Sequence, residues 1–180
     1  MKRAFRVTNL MCILLVLVLV LAFGCSKDND PVDPDVPDVP DVPDVIGSVG
    51  IFADANGTDQ DIIDTGGVVT VYVFHKLGTD GATASAFTID APTGWTVMAE
   101  QAEFPLSIGN INDGISIAYG YCLGGSVHLM TLTYTSPGNA LPGTSFRVRP
   151  HPNTPEHIEV VDCEDSMQGG AGLDSPVVQP

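Results

Sequence analysis

Beyond residue 45 the apolar and polar positions alternate in short runs with a period of two, the spacing of side chains that point to opposite faces of a strand. Ile115, Ile117 and Tyr119 oppose Ser116 and Ala118, and Phe146 and Val148 oppose Arg147 and Arg149. Such alternation predicts a sheet with one wet face. SVGIFA (48–53), VVTVYVFH (68–75), SAFTID (85–90), WTVMA (95–99), GISIAYGY (114–121), VHLMTLTYT (127–135), SFRVRP (145–150) and HIEVVD (157–162) are the strand candidates. They are rich in Val, Ile, Thr and aromatics, and clusters of Gly, Pro, Asn and Asp separate them. VVTVYVFH is apolar on both faces, which predicts a central strand, and Val177 and Val178 are candidates for a last edge strand. No segment of comparable length in this region has helical periodicity. Residues 46–180 are therefore expected to form an all-β domain of two packed sheets, a β-sandwich of immunoglobulin-like or jelly-roll type with its strand order open.

The first 45 residues follow other rules. Lys2, Arg3 and Arg6 are the only charges among residues 1–24, and Leu10 to Phe23 is almost wholly apolar. That is the layout of a signal peptide, expected here at residues 1–24. A retained membrane helix is the alternative, although it needs about 20 apolar residues and this run is shorter. The segment LAFGCS resembles the lipobox of bacterial lipoproteins, departing from it in the bulk of Phe23 and in Ala22 where Leu is commonest. The resemblance implies lipidation of Cys25 as the first residue of the mature chain, with palmitate-like acyl chains holding it to a membrane. One acyl chain binds only marginally, so stable anchoring requires several. Ser26 stands where inner-membrane retention often shows Asp, which by resemblance to Gram-negative lipoproteins implies the outer membrane or cell surface rather than the inner membrane.

Residues 25–45 form the acylated cysteine and a spacer. Pro34, Pro37, Pro40 and Pro43 recur with Asp35, Asp38, Asp41 and Asp44 and with Val36, Val39, Val42 and Val45 at a period of three. A polyproline II helix also has three residues per turn, so each residue type falls on its own edge. The segment is too polar to bury itself, and repulsion along the acid edge stiffens it, so a semi-rigid stalk of roughly 45 Å is expected.

The formal charge of −15 becomes −18 once the three cations of residues 1–24 are removed. So acidic a chain repels phosphate backbones, and nucleic acid is excluded as a partner. Anionic headgroups would repel it too, so attachment to a membrane falls to the lipid. Cys12 leaves with the signal and Cys25 carries lipid, which leaves Cys122 and Cys163 for one disulfide or for two buried thiols. A bridge between them would stabilise the fold by about 4 kcal/mol in the chain-entropy picture.

Candidate chemistry is sparse. DANGTDQDIID (54–64) places Asp54, Asn56, Asp59, Asp61 and Asp64 within one short stretch, as a calcium loop would. The EF-hand register fails, since Gly57 falls at the fourth position and Asp59 at the sixth, so a solvated acidic turn competes with calcium binding. His151, Glu156 and His157 are close in sequence, and His75 and His128 lie on predicted strands, but neither spacing matches a zinc site. No nucleophile elbow or phosphate loop occurs, and no cofactor or catalytic residue is expected. Trp95, with Tyr72, Tyr119, Tyr121 and Tyr134, offers material for glycan stacking if exposed and for ordinary core if buried.

VVTVYVFH after a Gly-Gly turn, then ATASAFTID, ISIAYG, a small-residue turn and VHLMTLTYT, resembles the order of elements in cohesin-like modules over about residues 66–149. ISIAYG, a cysteine soon after it and a late VDC also resemble a group of uncharacterised exported bacterial modules, which implies pairing of Cys122 with Cys163. The reading that follows is a lipid-anchored, stalked β-sandwich in the cell envelope, binding an unknown protein or polysaccharide. A structural envelope lipoprotein without a specific ligand is the alternative, and a glycan-active enzyme stands behind both. Exposed aromatics in one groove would favour glycan; an apolar edge strand or patch would favour protein; a uniformly polar, acidic surface would favour the structural role.

Overall fold

The computed structural model describes residues 45–180. The expected signal peptide, Cys25 and all of the expected stalk but Val45 lie outside them. Ten strands and no helix occur among the described residues: β1 (Val45–Phe52), β2 (Ile62–Ile63), β3 (Gly67–Asp90), β4 (Thr96–Ala102), β5 (Leu106–Asn110), β6 (Gly114–Ser136), β7 (Ser145–Pro150), β8 (Ile158–Asp162), β9 (Met167–Gly172) and β10 (Asp174–Val178). The all-β sandwich is as expected, with corrections to its elements: β2, β5 and β9 were not among the candidates. VVTVYVFH and SAFTID are two halves of β3, and GISIAYGY and VHLMTLTYT are two halves of β6.

β3 and β6 pair antiparallel along nearly their whole length, with register shifts around Lys76–Gly81 and opposite Gly124–Gly125. There the paired ribbon turns from one sheet into the other. On one side of that corner, β3 from Gly67 to Lys76 is flanked by β6 and β1, with β4 beyond β6. This is the central strand that VVTVYVFH predicted. On the other side, Ala84 to Phe87 lies between β6 and β8, with β5 beyond β6, and β7 continues beside β3 from Phe87 to Asp90. β9 joins β8 to β1, and β10 runs between β7 and β2.

Both halves send side chains into a single core. Val71, Val73, Leu132 and Tyr134 come from one sheet, and Phe87, Ile89, Ile115, Ile117, Val148 and Val160 from the other. In β6 the buried parity changes part-way: Ile115, Ile117, Tyr119, Val127 and Leu129 point inward, and then Met130, Leu132 and Tyr134 do. The cause is a bulge. Val73 pairs with Met130 and Phe74 with His128, so Leu129 is an extra residue that shifts every later side chain by one.

The Cys122–Cys163 disulfide forms, with a Cα–Cα distance of 5.2 Å. It fastens the corner of β6 to the end of β8 and lies directly over Gly81, where a Cβ would collide with both sulfur atoms. Burying that position under two sulfurs is possible only without a side chain.

Candidate binding face

The sheet β5–β6–β3–β8 has one face inward and one outward, and register fixes which residues share each. Leu106 pairs with Ala118, Ala118 with Ala84, and Ala84 with Val161; Ile108 pairs with Ser116, Ser116 with Ala86, and Ala86 with Glu159. Because cross-strand partners point the same way, these form two parallel rows on the outer face. Ser85, Phe87, Ile115, Ile117 and Val160 alternate with them and are buried.

The rows make a shallow groove of about 180 Å³. Its floor is the small side chains of β3 and β6, Ala84, Ala86, Ser116 and Ala118. Leu106 and Ile108 on β5 form one wall and Glu159 and Val161 on β8 the other. Leu106 is 59% exposed and Ile108 69%, an unusual state for two apolar residues on one strand. Among the described residues β5 pairs with β6 alone, which leaves its outer edge unpaired there. This strand escaped the sequence reading because FPLSIGN is short and is punctuated by Pro105, Gly109 and Asn110. The one signal it held was the alternation of Leu106, Ser107 and Ile108.

The floor is supported from below by a buried polar chain. The Tyr119 hydroxyl lies 2.8 Å from both His75 Nδ1 and Ser85 Oγ, and His75 Nε2 meets the Ile46 carbonyl at 3.3 Å. Ser85 sits between Ala84 and Ala86, so the chain ties the groove to β1. Burial lowers the His75 pKa to about 4, against the smaller opposing effect of the Ile46 carbonyl. Its ring is neutral at pH 7, with one nitrogen donating and the other accepting. Burial likewise raises the Tyr119 phenol above its ordinary range, in part offset by Ser85.

The other predicted site residues have different work. Asp54 accepts the amides of Asn56, Thr58 and Asp59 and the Thr58 hydroxyl, which closes the loop on itself. The Asp59 amide bond and its companions hold the carboxyl at a pKa of about 2. Asp59 accepts the Asp61 amide, while Asn56 is exposed. Asp64 is buried elsewhere, accepting the amides of Gly66, Gly138 and Ala140. Burial alone would raise its pKa, but hydrogen bonding from the Ser136 side chain and these amides outweighs it and the net shift is downward. Among the described residues no group of three or more His, Cys, Asp or Glu is placed to hold a metal ion.

The acidic loop instead covers the outside of the other sheet. Gly57, at φ +66°, rests against the Phe74 ring, where any Cβ would lie 2.8 Å from ring carbons. Phe52 packs edge-on to Phe74, and His128 stacks on Phe74. Lys76 reaches over both phenylalanine rings and donates to the Gly57 carbonyl and to Ser126. Trp95 is only 7% exposed and packs with Tyr134 and Phe146 at steep interplanar angles in the core. Tyr119 and Tyr134 are buried, Tyr72 lies beside His128, and Tyr121 is exposed. His151 packs beside Gly114 and belongs to no group of three or more potential metal ligands among the described residues.

No family model and no curated protein match this chain. Its architecture is similar to solved cohesin structures. The third ScaB cohesin of R. flavefaciens, in complex with a group 1 dockerin, superposes with a TM-score of 0.52 at 16% identity, covering 74% of this chain and 96% of that one. A chain of the CaDoc0917–CaCohA2 complex gives 0.50 at 14% identity, covering 74% and 99%. At such identities the likeness is one of fold, and the fold is a cohesin-like β-sandwich, as the order of elements implied.

Proposed function

We propose that this chain is a protein-binding module that seats a helix of a partner protein in the β5–β8 groove, and that acylated Cys25 and the Pro-Asp-Val stalk present it at the cell envelope. The observation that carries the reading is the pair Leu106 and Ile108, exposed on an edge strand beside a floor of small residues. From β5 to β8 there are three strand spacings, about 14 Å. A helix with its side chains is about 10–12 Å across, so one fits along the strands. Covering Leu106 and Ile108 would contribute about 2–3 kcal/mol. An apolar edge strand was the feature expected to favour a protein ligand over a glycan, and the buried Trp95 supplies no stacking platform. The cohesin of similar fold from R. flavefaciens is itself held in a protein complex.

The test is capture by the full chain in mild detergent, from the envelope and secreted fractions of the parent cell, beside an Ile108→Asp variant. Enrichment of one protein by the native chain and its loss with Ile108→Asp is the expected result. Equal enrichment by both chains, or retention of polysaccharide alone, refutes the groove; retention of nothing leaves the structural role as the better account. A parallel sample with EDTA reports whether any capture depends on a divalent cation.

A further inference from the structure

The groove has an apolar floor but a one-signed rim. Glu159 stands on its β8 wall, with one carboxylate oxygen accepting from the Thr154 hydroxyl. Asp113 lies at the β5–β6 turn, bonded to the Asn110 amide group. At the opposite end Asp162, Glu164 and Asp165 form the β8–β9 turn, and Asp80 lies in the corner beside the disulfide. The Ser166 amide bond, with others, keeps the Asp162 carboxyl below its ordinary pKa.

Among the described residues no cation lines the groove. Of the 22 acidic residues, seven belong to the stalk region, which leaves 15 in residues 46–180 against Lys76, Arg147 and Arg149. Lys76 is held over Phe52 and Phe74 by the Gly57 carbonyl and Ser126, on the half of β3 away from the groove. Arg147 and Arg149 share the groove's outer face, opposite Asp90 and Thr88 just beyond Ala86, but they are engaged by Asp174 and Asp90 respectively. None of the three belongs to β5, β6 or β8. Charges about a Debye length apart, roughly 8 Å at physiological salt, still act on a bound partner, so the whole rim acts together.

Resting on the groove reading above, we infer that its occupant is a cationic amphipathic helix: an apolar stripe that meets Leu106, Ile108 and the alanine floor, flanked on both sides by Lys or Arg. An acidic or neutral helix with the same stripe meets like charge at Glu159 and at both ends of the groove. The rim thus selects the partner's sign while the floor supplies contact area.

Two synthetic helical peptides with one shared Leu/Ala stripe test this, one flanked by Lys and Arg and the other by Glu, titrated into the full chain in detergent. The basic peptide should bind at least about 30-fold more tightly, and raising salt from about 20 mM to about 500 mM should weaken it about 10-fold. Ile108→Asp should abolish its binding and Glu159→Lys should weaken it several-fold. Equal affinity for both peptides, lost with Ile108→Asp, would overturn the cationic partner and keep the groove. Basic-peptide binding indifferent to Ile108→Asp would place it elsewhere on an acidic surface and overturn the inference. Binding of neither peptide would overturn both readings.

Discussion

His75 makes the stability of this fold depend on mildly acidic pH. Its pKa is about 4 in the folded protein against an ordinary 6.5, because protonation would charge a ring enclosed by Tyr119 and β1. The unfolded chain takes up that proton first, so folding is progressively disfavoured as pH falls from about 6.5 to about 4. Above 6.5 the ring is neutral in both states and the effect vanishes. Working from these two values, the domain should be about 2 kcal/mol less stable at pH 4.5 than at pH 7 through this residue. Asp54, Asp64 and Asp162 have lowered pKa values, so their contributions persist above 3.8 and fade below it, mostly outside this window. Urea unfolding can be followed by the fluorescence of Trp95, whose surroundings change on unfolding. At a slope of about 2 kcal/mol per M, the midpoint should fall by about 1 M between pH 7 and pH 4.5. In His75→Gln, which lowers stability at pH 7 but cannot titrate, the midpoint should fall far less over the same interval. Parallel falls in the two proteins would refute the assignment of acid sensitivity to this ring.

Reduction of Cys122–Cys163, or its replacement by serines, should cost up to about 4 kcal/mol in urea unfolding; an unchanged midpoint would show that the unfolded chain is already constrained there. Gly81→Ala should hinder closure of the same bridge, seen as free thiol in the purified protein, and full oxidation would contradict the close packing of Gly81 beneath it. Asp64→Ala leaves three backbone amides without their acceptor and should cost about 2–3 kcal/mol, read from the midpoint; a change under about 0.5 kcal/mol would mean that water replaces the carboxylate. Gly57→Val should lift the Ala53–Asp61 loop from Phe74, increasing proteolysis there, and unaltered cleavage would show that the loop tolerates the added bulk.

Much of the fold was legible because burial in a sandwich writes a period of two into the chain, as in Ile115, Ile117 and Tyr119. The joining of two predicted strands into β3 was not legible, since Gly78 and Gly81 read as a turn but serve as a bend in paired strands. The parity change at Leu129 was hidden too: Leu129 and Met130 side by side suit a buried strand as well as a bulge. β5 was missed for its length, and with it the walls of the groove. The acids of residues 54–64 illustrate the limit of composition, because a carboxylate that terminates backbone amides and one that holds a cation have the same letter. Asp64 is separated from Asp54 by β2, and only the fold shows that its partners come from Gly138 and Ala140.

The pairing of the first strand with one of the last has a consequence for how the chain comes to be folded. β1 takes Ala171 and Gly172 as partners of Ser48 and Val49, and β2 waits for Val177 and Val178. Contacts so distant in sequence form slowly, since a long loop must be closed before any of them is rewarded. A ribosome that still holds residues 171–178 therefore holds back these partners, and β2 waits until they emerge. Until residues 171–178 have been made, β1 and β2 lack these partners, so the order of synthesis sets the closing of the fold late.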